Sequence, residues 1–375
     1  MSNKKIVFLT GTRADFGKIK SLIQALENHQ KYTPYVFVTG MHLMEKYGYT
    51  LIEVERSGFK HIETFKNHTH ETTMDLTLAK TINGFSTYVK KINPDLIVVH
   101  GDRVEALAGA IVGSLNNILV AHIEGGEVSG TIDELIRHSV SKMSHLHYVA
   151  NDLAKKRLLQ MGESNKNIFV IGSPDVDIMF SKNLPTLDKV KSYYEIPFNN
   201  YGVLMYHPVT TESENMEMYA NNLVDALLED DKNYVVIYPN NDLGSTSILK
   251  SYKRIEKHNR FRIFPSIRFE YFLTLLKQSD FIIGNSSAGI REAPYYGIPT
   301  INIGTRQENR SMHPHIIHSD YETKNICHAI NQTKTSKVKK ENPLFGYGNS
   351  AELFIESLSK LSFKDGGIQK QFIDI

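Results

Sequence analysis

The sequence has few of the features that mark secreted, membrane-spanning or nucleic-acid-binding proteins. Its 375 residues contain one cysteine, Cys327, so no internal disulfide can form, which fits a reducing cytoplasm. No apolar run reaches the length of a signal-peptide core or a membrane span. The formal net charge is only +2, so bulk electrostatics give no case for nucleic acid or a membrane as a partner. We expect a cytoplasmic protein, in which a local cluster of Arg and Lys can still bind a small anion.

Short apolar runs alternate with amphipathic segments along most of the chain. Runs such as 5–11 (KIVFLTG) and 96–100 (LIVVH) are typical of strands covered on both faces, and segments with helical periodicity follow them. This alternation predicts parallel, doubly wound sheets. The pattern pauses near 173–175 and restarts near 202. The predicted fold class is therefore α/β, with two doubly wound Rossmann-like domains and a cleft between them.

The predicted domain boundaries follow from that pause. We predict an N-terminal domain over 1–176, a linker over 177–199, a C-terminal domain over 200–349, and a C-terminal helix and tail over 350–375. Open α/β sheets bind ligands outside the carboxyl ends of their strands, and helix N-termini there favour anions. We expect the cleft to suit a ligand with phosphates in its middle.

Three acids of the N-terminal domain follow predicted strands or open a predicted helix. Asp102 and Glu124 come at the ends of two strands, and Asp133 lies in the first turn of the next helix. A positioned carboxylate can remove a proton from carbon, and carboxylates sharing one cleft can divide acid and base roles. Structural alternatives stay open for Asp102, as a partner of Arg103 or a helix cap, and for Asp133, as a first-turn acid. Glu124 caps no evident helix.

Other polar residues of this half carry structural predictions. Thr131 and Glu134 have capping-box spacing, so we interpret Glu134 as structural, and Glu127 receives no role. The run His68-x-His70-Glu71 suggests a metal, but no second ligand pair follows at a suitable spacing. We favour a solvated loop for that run.

Two turns between strands and helices are candidates for binding an anion. In 11–17 (GTRADFG), backbone N–H groups and Arg13 suit a phosphate or a uracil edge, although an ordinary turn with a solvated arginine stays open. In the run NSSAGIRE, Ser286 and Ser287 can donate hydroxyl groups at a helix N-terminus, and Glu292 can accept from ribose hydroxyls. The alternative is an N-cap at Ser287 and a helix-dipole partner at Glu292.

Two basic residues of the C-terminal domain complete the candidate set. His207 ends the strand GVLMYH, where an imidazole can protonate or hydrogen-bond a leaving phosphate near neutral pH. A purely structural histidine remains the alternative. Arg306 follows the strand after NSSAGIRE and would bring another cation near the same ligand.

Eight motifs in order resemble the hydrolysing UDP-N-acetylglucosamine 2-epimerases of sialic-acid biosynthesis. They are GTRADFGK, HGDRVEALAGA, HIEGGEVSGTIDELIRHS, MYHPVTTE, YPNND, IRFEYF, GNSSAGIREAP and GTRQ, and the resemblance covers residues 5 to about 330. It implies the two-Rossmann glycosyltransferase-B architecture. The non-hydrolysing relatives have HIEAG and Pro-Glu-Glu where this chain has HIEGGE and Ile132-Asp133-Glu134. This difference favours the hydrolysing branch.

The resemblance also implies a reaction and a set of site residues. UDP-N-acetylglucosamine (UDP-GlcNAc) would lose its C2 proton and then UDP by anti elimination, and water would add to the resulting 2-acetamidoglucal to give N-acetylmannosamine. Asp102, Glu124 and Asp133 would act at the sugar, and His207 near the diphosphate. The implied UDP-binding residues are Arg13, Arg103, Asn240, Ser286, Ser287, Glu292 and Arg306. The resemblance implies a homodimer and requires no metal or nicotinamide cofactor, because no net redox change occurs.

Three alternatives to this function stay open. One is the same elimination acting on UDP-2,4-diacetamido-2,4,6-trideoxyglucose in legionaminic-acid biosynthesis. Another is a glycosyltransferase of the same architecture, and a third is a non-catalytic nucleotide-sugar sensor. The set of three acids argues against a sensor, which has no need of carboxylates facing an anionic ligand. We favour UDP-GlcNAc because the motifs are closest to the sialic-acid enzymes.

Overall fold

The computed structural model of the chain describes residues 3–68, 73–129, 131–308, 316–333, 344–361, 369–371 and 373–374. The chain divides into two compact units, each formed by more than one segment. The first unit comprises Met1–Glu127, Asp133–Ser181 and Leu344–Ile375, and the second comprises Val128–Ile132 and Lys182–Pro343. The C-terminal segment thus belongs with the N-terminal residues. The boundaries inferred from sequence, at 176, 199 and 349, stay predictions.

The first unit is built on a parallel sheet of seven strands. They are β1 (Lys4–Thr10), β2 (Tyr32–Val38), β3 (Ile62–Thr64), β4 (Leu96–His100), β5 (Leu119–Ile123), β6 (Leu146–Val149) and β7 (Ile168–Val170). Their order across the sheet is β3-β2-β1-β4-β5-β6-β7. Every strand pair is parallel, and the register sets Ile6 beside Leu96 and His100 beside Ile123. The predicted doubly wound topology is confirmed for this unit.

In the described residues, eight α-helices accompany this sheet. They are α1 (Arg13–Glu27), α2 (Leu51–Glu55), α3 (Met74–Ile92), α4 (Val104–Leu115), α5 (Ile132–Met143), α6 (Asp152–Gln160), α7 (Pro174–Met179) and α15 (Ser350–Lys360). Helix α1 turns Ile19 and Leu22 into the core formed by the central strands. These apolar positions recur at helical spacing, so burying one face of α1 accounts for its position on the sheet.

Helix α15 ties the end of the chain to this first core. The Asp177 carboxylate accepts hydrogen bonds from the backbone N–H groups of Ser350 and Ala351, both at 2.9 Å. Phe354 is buried, and its ring lies 4.8 Å from that of Tyr148 in an edge-on arrangement. A capping carboxylate and a buried aromatic pair thus fix a helix whose partners lie more than 150 residues earlier.

The second unit repeats the architecture with six parallel strands. They are β8 (Gly202–Met205), β9 (Tyr234–Ile237), β10 (Phe261–Phe264), β11 (Phe281–Gly284), β12 (Thr300–Ile303) and β13 (Ile316–Ser319). Their order is β10-β9-β8-β11-β12-β13. The α-helices are α8 (Leu187–Tyr193), α9 (Met216–Glu229), α10 (Ser245–Tyr252), α11 (Phe269–Lys277), α12 (Ala288–Arg291), α13 (Ala293–Tyr296) and α14 (Thr323–Gln332). The predicted α/β class with two doubly wound sheets is therefore confirmed.

Several elements differ from the sequence-based expectation. Helix α8 lies inside the predicted linker, and β13 and α14 were not predicted. Residues 288–296 form two short helices, α12 and α13, that meet at Glu292, because Pro294 has no N–H group to continue the hydrogen-bond ladder. None of the described helices combines the length and apolar character needed to cross a membrane.

Both sheets reverse their strand order beside their first strand, between β1 and β4 and between β8 and β11. Such switch points are where open α/β sheets bind ligands. The turn starting at Gly11 and the pair Asp102-Arg103 follow β1 and β4. His207 and Ser286 come shortly after β8 and β11. The fold therefore brings the predicted residues of each unit to a topological switch point.

Gly284, at the end of β11, provides a test of this packing. Its φ is +128°, and a Cβ atom there would lie 2.0 Å from the carbonyl oxygen of Met205. Because a strand backbone cannot move away easily, we expect Gly284→Ala to destabilise the protein by at least ~3 kcal/mol. The control is Gly58→Ala, where φ is +75° but no atom lies within 4 Å of the added methyl group. Urea unfolding measures both, and equal losses would contradict a collision at Gly284.

Candidate active site

Glu124 directly follows β5 and has a backbone conformation that residues other than glycine rarely adopt. Its φ is +63°, and the residue is 2% exposed. Its N–H group donates to the carbonyl of Tyr148 at 2.8 Å, and its carbonyl accepts from Nη1 of Arg137 at 2.6 Å. A strained, buried conformation persists only where its surroundings determine it, and such residues cluster at functional sites. The direction of the Glu124 side chain is therefore fixed by its neighbours.

The carboxylate of Glu124 belongs to a buried polar cluster. Oε1 accepts a hydrogen bond from Oγ of Ser173, and Oε2 lies 3.1 Å from Nε2 of His100. The Lys18 ammonium lies 3.7 Å from Oε2 of Glu124 and 3.1 Å from Oδ2 of Asp175. Two carboxylates thus share one ammonium group away from water. A buried cluster of acidic and basic side chains is typical of sites that transfer protons.

Arg137 connects Asp102, another of the predicted acids, to this cluster. Its Nη2 donates to Oδ2 of Asp102, while its Nη1 binds the carbonyl of Glu124. Asp133 is half-buried in the first turn of α5, four residues before Arg137, and residues at that spacing share one helix face. The structure therefore joins Asp102 and Glu124 through one guanidinium group and places Asp133 on the same face of α5.

The turn from Gly11 to Asp15 differs from the prediction. The Asp15 carboxylate accepts hydrogen bonds from the N–H groups of Gly11 and Thr12, both at 3.0 Å, and Thr12 Oγ1 accepts from the Asp15 N–H at 3.2 Å. This is a capping box. The expectation that these backbone N–H groups face a phosphate is wrong for Gly11 and Thr12, because Asp15 occupies them. Arg13, half-buried at the start of α1, remains a candidate.

Arg103 lies at the N-cap of α4 and makes no side-chain capping hydrogen bond there. Its Nε is 3.7 Å from Oε2 of Glu105, which is almost fully buried. His68 approaches the same carboxylate, with Nε2 at 4.0 Å. His70 and Glu71 of the metal hypothesis lie outside the described residues. No group of three or more metal-ligating side chains is found in the part of the chain that the structure describes.

His207 in the second unit is fixed by two asparagines. Its N–H donates to Oδ1 of Asn285 at 2.7 Å, and its carbonyl accepts from Nδ2 of Asn285 at 2.8 Å. The backbone N–H of Asn240 donates to Nδ1 of His207 at 3.0 Å. Because Nδ1 accepts, the neutral ring carries its proton on Nε2. The geometry thus favours a neutral hydrogen-bond donor over a protonated imidazolium.

The remaining predicted residues of this unit surround Asn285. Ser286 Oγ accepts from the N–H of Ala288 at 3.3 Å, whereas Ser287 is the N-cap of α12 without a side-chain capping hydrogen bond. Glu292 is buried between α12 and α13. Arg306 Nη1 donates to the carbonyl of Asn285 at 3.3 Å. Asn285 therefore connects the ends of β8, β11 and β12.

Several residues of these clusters were not identified as functional from the sequence. They are Lys18, His100, Arg137, Ser173, Asp175, Asn285 and Gln307. Most lie within motifs that drew attention to a neighbouring residue: Lys18 ends GTRADFGK, His100 opens HGDRV, and Asn285 opens the serine turn. The available signal was their place at a strand end or in a turn that follows one.

Comparison with known proteins assigns the family. A profile of the UDP-N-acetylglucosamine 2-epimerase family matches residues 24–359. The chain belongs to this family. The resemblance inferred from the eight motifs is thereby confirmed. The Glu124 cluster and the Asn285 cluster described above therefore belong to a member of this epimerase family.

Three similar proteins illustrate the range of this epimerase family. The chain is 50% identical over 375 residues to a UDP-N-acetylglucosamine 2-epimerase of Neisseria meningitidis serogroup B, covering 99% of each chain. It is 31% identical to a UDP-N,N'-diacetylbacillosamine 2-epimerase (hydrolyzing) of Legionella pneumophila, covering 93% of this chain and 94% of that one. The structure of Methanocaldococcus jannaschii UDP-GlcNAc 2-epimerase with UDP-GlcNAc and UDP matches with a TM-score of 0.82 at 24% identity, covering 95% and 99% of the chains. That match shows a shared fold.

His42 lies beneath the Gly11 turn of this epimerase family member. Its Nε2 is 3.1 Å from Thr10 Oγ1, and its Nδ1 is 2.7 Å from Thr50 Oγ1. Burial lowers the pKa of His42 from 6.5 to about 4, although the carboxylate of Asp15 partly opposes the effect. The native protein therefore takes up a proton at this ring less readily than the unfolded chain does.

The depressed pKa of His42 predicts the pH dependence of stability. The unfolded histidine binds a proton below about pH 6.5, whereas the native one does so only near pH 4. The free energy of unfolding therefore decreases as the pH is lowered from about 6.5 to about 4. The loss attributable to His42 is up to ~3 kcal/mol. We expect urea unfolding of His42→Gln to depend less on pH between 7 and 4 than wild type does. His61→Gln, at an exposed imidazole, is the control. Parallel profiles for wild type and His42→Gln would contradict this prediction.

Proposed function

We propose that this chain is a hydrolysing UDP-N-acetylglucosamine 2-epimerase, which converts UDP-GlcNAc and water to UDP and N-acetylmannosamine for sialic-acid biosynthesis. The observation that carries the proposal is the buried cluster around Glu124 in a member of this family. A carboxylate held by Lys18, His100 and Ser173 is suited to removing a proton from carbon. The 50% identity to the meningococcal enzyme supports UDP-GlcNAc as the substrate.

The first half-reaction is an elimination. We assign removal of the C2 proton to Glu124, because its carboxylate is the most buried of the three predicted acids. As the C2–H bond breaks, its electron pair forms the C1=C2 double bond, and the C1–O bond to UDP breaks. The product of this step is 2-acetamidoglucal, with the departing electron pair on the β-phosphate oxygen.

The second half-reaction adds water across that double bond. Hydroxide forms a bond to C1, and a proton adds to C2 on the face that inverts the acetamido group. One acid–base group must deprotonate the water and another must supply the C2 proton. Asp102 and Asp133, the acids bound to Arg137 or on its helix face, are the candidates for these roles. No redox step occurs, so electrons balance without a cofactor.

Several residues of the second unit bind the UDP in this proposal. The Nε2–H group of His207 donates to a diphosphate oxygen, and Arg306 supplies positive charge as the leaving group develops. Glu292 accepts from ribose hydroxyls. The other proposed contacts are Arg13, Arg103, Asn240, Ser286 and Ser287. We further propose that the enzyme acts in the cytoplasm as a homodimer.

A second substrate has specific support. The relative from Legionella pneumophila, 31% identical over 93% of this chain, is named for a diacetylated bacillosamine nucleotide. That sugar differs from N-acetylglucosamine at C4 and C6, and the elimination at C1 and C2 is the same. The higher identity to the meningococcal enzyme favours UDP-GlcNAc.

The test compares both substrates in deuterated water. NMR of the products should show free UDP and N-acetylmannosamine with deuterium at C2 when UDP-GlcNAc is supplied. Turnover of only UDP-2,4-diacetamido-2,4,6-trideoxyglucose would replace the proposed substrate. Release of UDP with the C2 hydrogen retained would indicate a transferase, and UDP kept on an epimerised sugar would indicate the non-hydrolysing reaction. Binding without turnover would indicate a sensor.

Glu124→Gln tests the assignment of the C2 base. The amide keeps the shape of the side chain but cannot accept a proton, so we expect C2 exchange to fall at least ~100-fold. UDP affinity should stay within about twofold of wild type, because Glu124 has no proposed contact with the nucleotide. The control is Glu134→Gln, another acid of the same stretch. Near-normal exchange in Glu124→Gln would remove Glu124 from the catalytic set.

A further inference from the structure

Glu212 forms two short hydrogen bonds that join distant parts of the second unit. It lies in the 3-10 turn Thr210–Asn215, shortly after His207. Its Oε1 accepts from Thr305 Oγ1 at 2.6 Å, and its Oε2 accepts from the Tyr321 hydroxyl at 2.5 Å. Tyr321 Oη also accepts from the Thr305 N–H at 3.4 Å. The three side chains form a closed set that we call the Glu212 triad.

The aromatic ring of the triad is confined by a second tyrosine and by a glycine. Tyr321 stacks on Tyr219 with ring centroids 3.6 Å apart and an angle of 5° between the planes. Gly304 adopts a φ of +71°, and a Cβ atom there would lie 2.2 Å from the Tyr321 ring. Only glycine leaves room for the ring at this position. The Tyr321 hydroxyl is therefore held in one place, next to Thr305.

The triad connects the loop of Arg306 with the segment of His207. Asn285 makes a further connection, since its carbonyl accepts from Arg306 and, at 2.8 Å, from Nε2 of Gln307. Asn285 also holds the backbone of His207 on both sides. Asn285 thus binds His207 and Arg306 themselves. The triad joins residues near them in the sequence, Thr305 before Arg306 and Glu212 after His207.

In the described part of the chain, both side-chain donors to the Glu212 carboxylate are neutral hydroxyls. The carboxylate is thus satisfied without taking up a cation, and hydrogen bonds to a charged acceptor are stronger than neutral ones. These hydrogen bonds order the loop that carries Arg306, and a phosphate-binding loop needs such ordering because its arginine must be fixed in position.

We propose that Glu212, Thr305 and Tyr321 are positioning residues that hold Arg306 and His207 in the arrangement that binds the diphosphate of the nucleotide. The inference rests on the proposed function, because it takes UDP as the ligand of Arg306 and His207. The triad itself contacts no ligand. Because the triad already fixes Arg306 and His207, less conformational entropy is lost when the phosphate-bearing ligand binds. The affinity for that ligand is therefore higher.

Calorimetric titration of the full chain with UDP tests the triad. Tyr321→Phe removes the hydroxyl and keeps the stacked ring, and we expect the Kd for UDP to rise roughly 5- to 10-fold. Tyr219→Phe is the matched control, since it keeps the other ring of the stack and lies outside the triad. Its Kd should stay within about twofold of wild type. In turnover, KM should rise for Tyr321→Phe and kcat should also fall, because Arg306 stabilises charge that develops on the leaving group.

A second pair of variants makes the test independent of Tyr321. Thr305→Val removes the hydroxyl that binds Glu212, whereas Thr305→Ser retains it. We expect Thr305→Val to weaken UDP binding to a similar extent, and Thr305→Ser to bind as wild type does. Uridine, which has no phosphate, should bind wild type and Thr305→Val alike when measured by competition.

The outcomes separate this inference from the proposed function. If wild type binds UDP and both Tyr321→Phe and Thr305→Val bind it equally well, the triad does not position the site. If uridine and UDP lose affinity in the same proportion, the triad supports the pocket in general and the diphosphate assignment is wrong. If wild type does not bind UDP, the proposed function fails.

Discussion

The site of the first unit depends on the interactions that the guanidinium group of Arg137 makes. It pairs with the carboxylate of Asp102 and donates to the carbonyl of Glu124, and it comes from the helix that carries Asp133. Leaving a buried guanidinium unpaired costs several kcal/mol, so these contacts are strongly coupled to one another. The same hydrogen bond helps to hold Glu124 in its left-handed backbone conformation. The placement of Asp102 and the backbone conformation of Glu124 therefore both depend on Arg137.

In the second unit, the residue that connects the site is uncharged. Asn285 holds His207 and Arg306 through amide and carbonyl groups, and the Glu212 triad is closed by hydroxyl groups. This difference matches the chemistry proposed for each unit. Proton transfer from carbon calls for interacting charges that shift proton affinities, whereas binding a diphosphate calls for cations whose charge is kept for the ligand.

The sequence was sufficient for features that depend on local pattern. Alternating apolar runs predicted both sheets, and the acids at strand ends predicted Asp102 and Glu124 as neighbours, because parallel strands end at one edge. Contacts between residues far apart were beyond such reasoning. Arg137 and Asp102 are separated by 35 positions, and Ser173 and Glu124 by 49. The Gly11 turn was misread because a carboxylate of the chain and a phosphate are alternative acceptors for the same N–H groups.

The return of the chain to the first unit has a consequence for synthesis on the ribosome. Helix α15 is capped by Asp177 and packs Phe354 against Tyr148. These contacts form only after nearly the whole chain has been translated. The second unit, apart from residues 128–132, is complete once residue 343 has emerged. The first unit is thus synthesised first but completed last. Its core lacks α15 while the second unit already has all its residues.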